Sequence, residues 1–257
     1  MAFTTRQIVE LFHLVFLRAL VAKGEDKSLF ALKGGCNLRF YFESIRYSED
    51  IDLDVIVIAK QTLKNRVDRL LASPLVKSPL LAKGIELVDV TAPKQTETTQ
   101  RWKAGLRTGS SPIARTKIEF SRRDDLTGAA FEPIARSMLL PYGLPPFLAP
   151  HYATHAAIAQ KIRALAGRTE PQARDVFDLN LLLARADAAV VRPTNLEADL
   201  LPRAIDRLMA ISFDDYTSTV LSYLDPEQAA PYEGKDAWSV MQESVLAHLE
   251  RLGEGST

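Results

Sequence analysis

The 257-residue sequence contains a single cysteine, Cys36. One thiol can form neither an intrachain disulfide nor a cysteine zinc site. Net charge is also lacking, with 32 Lys and Arg against 32 Asp and Glu. That balance excludes a globally basic nucleic-acid coat and a disordered acidic tail. No apolar run approaches the roughly 20 residues of a membrane span. The most apolar early stretch, 14–17, is flanked by His13 and Arg18. The first five residues lack the basic segment that precedes a cleavable apolar core. The expectation is a cytoplasmic protein with no membrane partner. What is present, 47% apolar and 25% charged residues, suffices for a soluble core in one large domain or two small ones.

Hydrophobic periodicity predicts helices over 6–22, 37–44 and 61–72, and strands over 29–32, 51–58, 85–91, 98–106, 113–120 and 133–139. Beyond residue 150 the pattern is helical throughout: 152–166, 174–184, 196–209, 213–224 and 235–252. Pro141, Pro145, Pro146 and Pro150 lie between the two regimes. The expected fold class is therefore α+β. A mixed sheet with helices occupies 1–140 and a helical domain occupies 151–257.

Asp50-Ile51-Asp52-Leu53-Asp54 opens the β-branched strand. Side chains at i and i+2 share a face about 6.6 Å apart, so Asp50 and Asp52 can reach one divalent cation, or two close ones. Asp54, about 13 Å along from Asp50, is a poorer ligand. Carboxylates on one strand face repel unless something positive sits there. An EF-hand is excluded, because Val55 and Gln61 stand where the loop needs Gly and Glu. Upstream, Lys33-Gly34-Gly35-Cys36 lies between a strand and a helix. Two glycines let the backbone approach a phosphate, and a helix N-terminus favours anions. Metal on the aspartates and phosphates on the glycine turn are what nucleotidyl transfer requires.

Charge is uneven along the chain. Residues 94–123 hold eight basic and two acidic side chains, whereas 195–257 hold four basic and twelve acidic ones. The basic stretch reads either as a solvated face or as a site for an anionic ligand. Trp102 within it could stack on a base, and Trp238 is expected to pack between helices. His151 and His155 are spaced i,i+4, but Tyr152 breaks the zincin pattern, so core or surface histidines are expected.

The run Lys33-Gly34-Gly35-Cys36-Asn37-Leu38-Arg39, followed by Arg46-Tyr47-Ser48-Glu49-Asp50-Ile51-Asp52-Leu53-Asp54, resembles the first motif of the AbiEii/AbiGii toxin family. These are nucleotidyltransferase-like toxins of bacterial abortive-infection and toxin–antitoxin systems, in the polymerase-β-like superfamily. Thr116-Lys117-Ile118-Glu119 resembles the second motif, residues 158–165 around Lys161 the third, and Arg174-Asp175-Val176-Phe177-Asp178-Leu179 the fourth. The four motifs occur in order between about residues 30 and 180. The family often has Ser or Thr where this chain has Cys36, a weaker donor.

The resemblance implies a nucleotidyltransferase-like N-terminal half and a Mg²⁺-dependent transfer from NTP to an acceptor hydroxyl. The implied acceptor is the 3′ end of tRNA, which would block translation, and a cognate antitoxin is an implied partner. Asp50, Asp52 and Glu119 would hold Mg²⁺, with Glu119 alternatively the base for the hydroxyl. Gly34, Gly35 and Cys36 would cradle phosphate, and Lys117 and Lys161 would neutralise it. Asp175 and Asp178 either position the nucleotide or the lysine, or form a helix cap and an Arg174–Asp178 surface pair. The alternatives are a nucleotidyltransferase acting on a small molecule or a protein, and a nucleotide-binding interaction protein with little catalysis.

Overall fold

The structure is a computed structural model describing residues 3–22, 28–185, 197 and 199–254. Two compact units are present: Met1–Glu43 with Tyr47–Tyr152, and Ser44–Arg46 with Ala153–Thr257. The protein is α+β.

The first unit is built on one mixed sheet. Its strands are β1 (Phe30–Lys33), β2 (Ile51–Val55), β3 (Ile85–Gln95), β4 (Thr99–Thr108), β5 (Ala114–Arg122), β6 (Ala129–Pro133) and β7 (Leu148–Tyr152). They lie in the order β3-β4-β5-β2-β1-β7-β6. β2 runs parallel to β5 and antiparallel to β1. Helix α2 (Gly34–Tyr41) follows β1 directly, which is how the glycine turn comes to stand beside β2.

Helices α1 (Thr5–Ala22), α3 (Lys60–Ala72) and α4 (Pro74–Leu81) pack on the sheet. Leu11, Phe12, Leu14, Phe16 and Leu17 of α1 are buried all round its axis, as befits a core helix. β4 and β5 alternate. Trp102, Ala104, Leu106, Ile118 and Phe120 are buried, while Arg101, Lys103, Lys117 and Glu119 take the other side of the pleat. One sheet face is thus core and the other carries charge.

The structure departs from the sequence pattern in several places. The strand expected over 133–139 is instead β6 ending at Pro133, then a helical turn, α5 (Arg136–Leu139); proline has no N–H to extend a ladder. Pro150, the last of the proline cluster, lies in β7, and the chain passes to the second unit just beyond it, at Ala153. Finally, α4 carries Pro79 inside it, which hides the helix from its sequence pattern.

The second unit contains α6 (Thr154–Gly167), α7 (Ala173–Arg185), α8 (Leu200–Met209), α9 (Phe213–Thr219) and α10 (Lys235–Glu254). The expected start of α8 at residue 196 lies outside the described residues. The helix expected over 213–224 stops at Thr219 and is followed by a 3-10 turn, Leu221–Tyr223. Trp238 of α10 is buried and stacks on Tyr216 of α9, with ring centroids 4.6 Å apart.

Candidate active site

The carboxylate strand and the glycine turn meet in the first unit. In the ladders, Lys33 pairs with Asp52, and Asp52 pairs with Glu119 on the parallel neighbour β5. Paired residues share a face, so Asp52 and Glu119 project from the charged side of the sheet. Gly34 has φ +66°, a conformation glycine adopts without cost. A Cβ at Gly34 would lie 3.0 Å from Asp52 Oδ2, so the missing side chain is what lets the turn approach this carboxylate.

Asp50 is held at both oxygens. The Lys117 backbone N–H donates to Oδ1 at 3.0 Å and the Lys117 ammonium to Oδ2 at 2.9 Å. Glu119 Oε2 accepts from Arg101 Nε at 2.6 Å. Lys117 and Glu119, which share a strand face at i,i+2, thus have separate partners. Asp54 is buried and takes Lys33 at 2.5 Å, Arg123 at 3.2 Å and the Tyr152 hydroxyl at 3.0 Å. Its ion pairs place it in the sheet's framework, in line with its poor ligand spacing.

Among the described residues, no three His, Cys, Asp or Glu groups converge as a ready-made metal cage. Mg²⁺ does not need one. It keeps several waters and takes one or two carboxylates plus substrate phosphates. The oxygen-only set around Asp52, beside the space a Cβ at Gly34 would fill, fits a hard cation of this kind.

The Cys36 side chain does not point to a ligand. It is buried beneath the turn, 3.4 Å from His13 Nδ1 and 3.3 Å from the Asp50 carbonyl oxygen. Burial pushes the thiol well above its ordinary pKa, so it is no nucleophile. Only the backbone N–H at this position is left to face phosphate.

The basic stretch is largely paired. Arg107 meets Glu86, Arg115 meets Asp89 and Arg101 meets Glu119. The Arg115–Asp89 pair crosses β4 over Gly105, where a Cβ would come within 2.7 Å of Asp89 Oδ2. Lys103 and Lys117 stand opposite each other in the β4–β5 ladder, a like-charge pair on the charged face. Trp102 is fully buried and donates to Asp68 at 2.7 Å, so it stacks on no base. His151 is a core histidine in β7, stacked on Tyr41 with centroids 3.4 Å apart and bonded to Asn37. His155 is exposed on α6.

The remaining motif residues form a buried ion network within the second unit. The Lys161 ammonium donates to Asp175 Oδ1 at 3.0 Å and pairs with Asp178 Oδ2 at 2.6 Å. Arg168 Nε donates to Asp175 at 2.7 Å. Arg46 donates to both oxygens of Asp178, at 3.0 and 2.9 Å from one nitrogen. The expected Arg174–Asp178 surface pair is replaced by these contacts, because Asp178 is fully buried. Burial by itself would raise the Asp175 carboxyl, but Lys161 and Arg168 together hold it below its ordinary value. Burial likewise opposes the charged Lys161, and Asp178 and Asp175 outweigh it and raise its pKa. The sequence pattern gave Arg46 no role beyond its motif; only the tertiary contact identifies its partner.

No curated protein matches this sequence. Among solved structures, JHP933 from Helicobacter pylori is similar, with a TM-score of 0.59 at 20% identity, covering 99% of this chain and 97% of its own. A putative nucleotidyltransferase from H. pylori gives 0.58 at 21% identity, covering 95% of each chain. MenT4, a nucleotidyltransferase toxin from Mycobacterium tuberculosis H37Rv, gives 0.62 at 18% identity, covering 96% of this chain and 86% of its own. At these identities the likeness is one of fold. The family model for the nucleotidyl transferase AbiEii toxin of type IV toxin–antitoxin systems matches residues 15–251, so this chain belongs to the AbiEii family of nucleotidyltransferase toxins.

Proposed function

We propose that this toxin transfers a nucleotide from NTP to the 3′ hydroxyl of an RNA, tRNA by family resemblance, and so inhibits translation. The observation that carries the reading is the Asp52–Glu119 ladder pair set against the Gly34 turn. Asp50, Asp52 and Glu119 would hold Mg²⁺, which supplies charge neutralisation at the phosphates. The backbone N–H groups of Gly34, Gly35 and Cys36 at the start of α2 bind phosphate oxygens. The acceptor oxygen bonds to the α-phosphorus, the α–β bridging P–O bond breaks, and pyrophosphate leaves. Glu119, oriented by Arg101, is the alternative base: off the metal, it would take the acceptor's proton.

Lys161 is proposed to contact nucleotide phosphate, with Asp175 and Asp178 holding its ammonium in place. Lys103, opposite the Asp50-bonded Lys117 in the ladder, adds positive charge to the sheet face where the RNA backbone would lie. A cognate antitoxin and action in the cytoplasm complete the reading.

The test is incubation of the protein with α-labelled NTPs and total RNA, with and without EDTA. Label at tRNA 3′ ends, lost with EDTA, is expected. Label on protein or a small molecule would replace the acceptor, and transfer undiminished by EDTA would remove the metal. Lys103→Ala, together with Lys94→Ala opposite Arg101 in the β3–β4 ladder on the same face, should weaken RNA binding and lower its salt slope by up to about two. An unchanged slope would move the acceptor off this face.

A further inference from the structure

Beneath the carboxylates, on the apolar side of the sheet, lies a polar chain that the transfer reaction does not use directly. His13 sits in the middle of α1, fully buried among apolar neighbours. Its Nε2 is 2.7 Å from Thr116 Oγ1. The Thr116 hydroxyl in turn donates to the Glu49 carbonyl oxygen at 2.7 Å. A hydroxyl has one proton, so a hydroxyl that gives it to Glu49 must accept from His13. His13 is therefore the neutral tautomer with its proton on Nε2, and Nδ1 is the acceptor facing the Cys36 thiol at 3.4 Å.

The far ends of this chain are the main-chain groups around Asp50. The Asp50 carbonyl accepts from Ser48 Oγ at 2.8 Å, and Cys36 Sγ, whose one proton faces His13 Nδ1, lies 3.3 Å from it. The Asp50 carboxylate accepts the backbone N–H of Lys117, the residue after Thr116. Strand alternation puts Thr116 on the buried side and Lys117 on the charged side of β5. Fixing the Thr116 hydroxyl thus fixes both the entry to β2 and the amide that aims the Asp50 carboxylate.

We propose that His13 is a positioning residue that, through Thr116 and the Glu49 carbonyl, presets the Asp50 carboxylate for a divalent cation. The inference rests on the metal-dependent reading above. Hydrogen-bonded partners behind a metal ligand typically change its affinity about 10–100-fold when removed.

Mn²⁺ serves as the probe, titrated into the purified protein by electron paramagnetic resonance without substrate, so that the readout does not depend on turnover. Thr116→Val keeps the side-chain shape without the hydroxyl and should weaken Mn²⁺ binding about tenfold or more. Thr116→Ser keeps the hydroxyl and should bind as the parent does. Equal binding by parent and Thr116→Val overturns the proposal. So does equal weakening by Val and Ser, which would reveal packing alone. Should Thr116→Val fail to fold, His13→Gln, which retains a donor, is compared with His13→Leu, and weak binding by Leu alone supports the same conclusion. A parent that binds Mn²⁺ but transfers no nucleotide defeats the functional reading while leaving this comparison intact.

Discussion

The protein carries two sets of acids with similar spacing and opposite surroundings. Asp50, Asp52 and Glu119 stand on the charged face of a sheet, and the side chains of Asp50 and Glu119 are 30% and 24% exposed. Asp175 and Asp178 are fully buried, each with two cationic partners. An exposed ion pair is worth little, because water competes and screens. A buried one is costly to assemble and costlier to break, because the remaining charge loses its partner without regaining water. Acids of the first kind can exchange Lys117 or Arg101 for an incoming ligand; acids of the second kind hold architecture.

The largest effect should come from the buried set. Asp178→Ala leaves Arg46 without its bidentate partner and Lys161 with one carboxylate fewer, and should cost about 3–5 kcal/mol of stability. Chemical denaturation measures this; a loss below about 1 kcal/mol would erase the contrast with the exposed set.

Asp52→Asn should behave in the opposite way. It should lower nucleotidyl transfer at least 10²–10³-fold, about 3–4 kcal/mol of barrier, while the denaturation midpoint stays within experimental error. Loss of fold in this variant would place Asp52 with the buried acids.

The third effect is a pH dependence. Burial lowers the His13 pKa to about 3 from 6.5. A group whose folded pKa is depressed contributes stability that is present above its unfolded pKa and is lost as pH falls toward the folded one. Stability should therefore decline by up to about 2 kcal/mol between pH 6.5 and 5, before carboxylates titrate. His13→Gln should flatten the decline in that window, and melting curves across it decide. Asp175, held below its ordinary value, adds acid sensitivity only below about pH 4.

The smallest effect sharpens the comparison at a single bond. Arg101→Ala breaks a half-exposed pair and should change stability by less than about 1 kcal/mol. It releases Glu119, so the rate of transfer should change while thermal stability hardly moves. An unaltered rate would detach Arg101 from the reaction.

Local pattern alone located much of this. The Asp-x-Asp strand, the Gly-Gly turn and the long helices were visible because periodicity and backbone permissiveness are properties of neighbouring residues. β7 and α4 were hidden by Pro150 and Pro79, which local propensity reads as breaks. Trp102, set among basic residues, looked like a stacking platform; the alternation of β4 sends it inward to Asp68 instead. Cys36 looked like a substitute phosphate contact, but it faces His13 from a distant helix.

The sequence by itself determined which residues could do chemistry: oxygen ligands two apart on a strand, glycines that admit close approach, and a lysine and aspartates at helical spacing. Tertiary structure alone decided which of those charges meet water and which meet each other. Asp52 is brought opposite Glu119 by a parallel pairing of strands more than sixty residues apart in the chain, and Asp178 is matched to Arg46 across a still longer separation. Charge is carried by the residue, but its free energy depends on the dielectric and the partners around it, and those are set by parts of the chain that no local window contains.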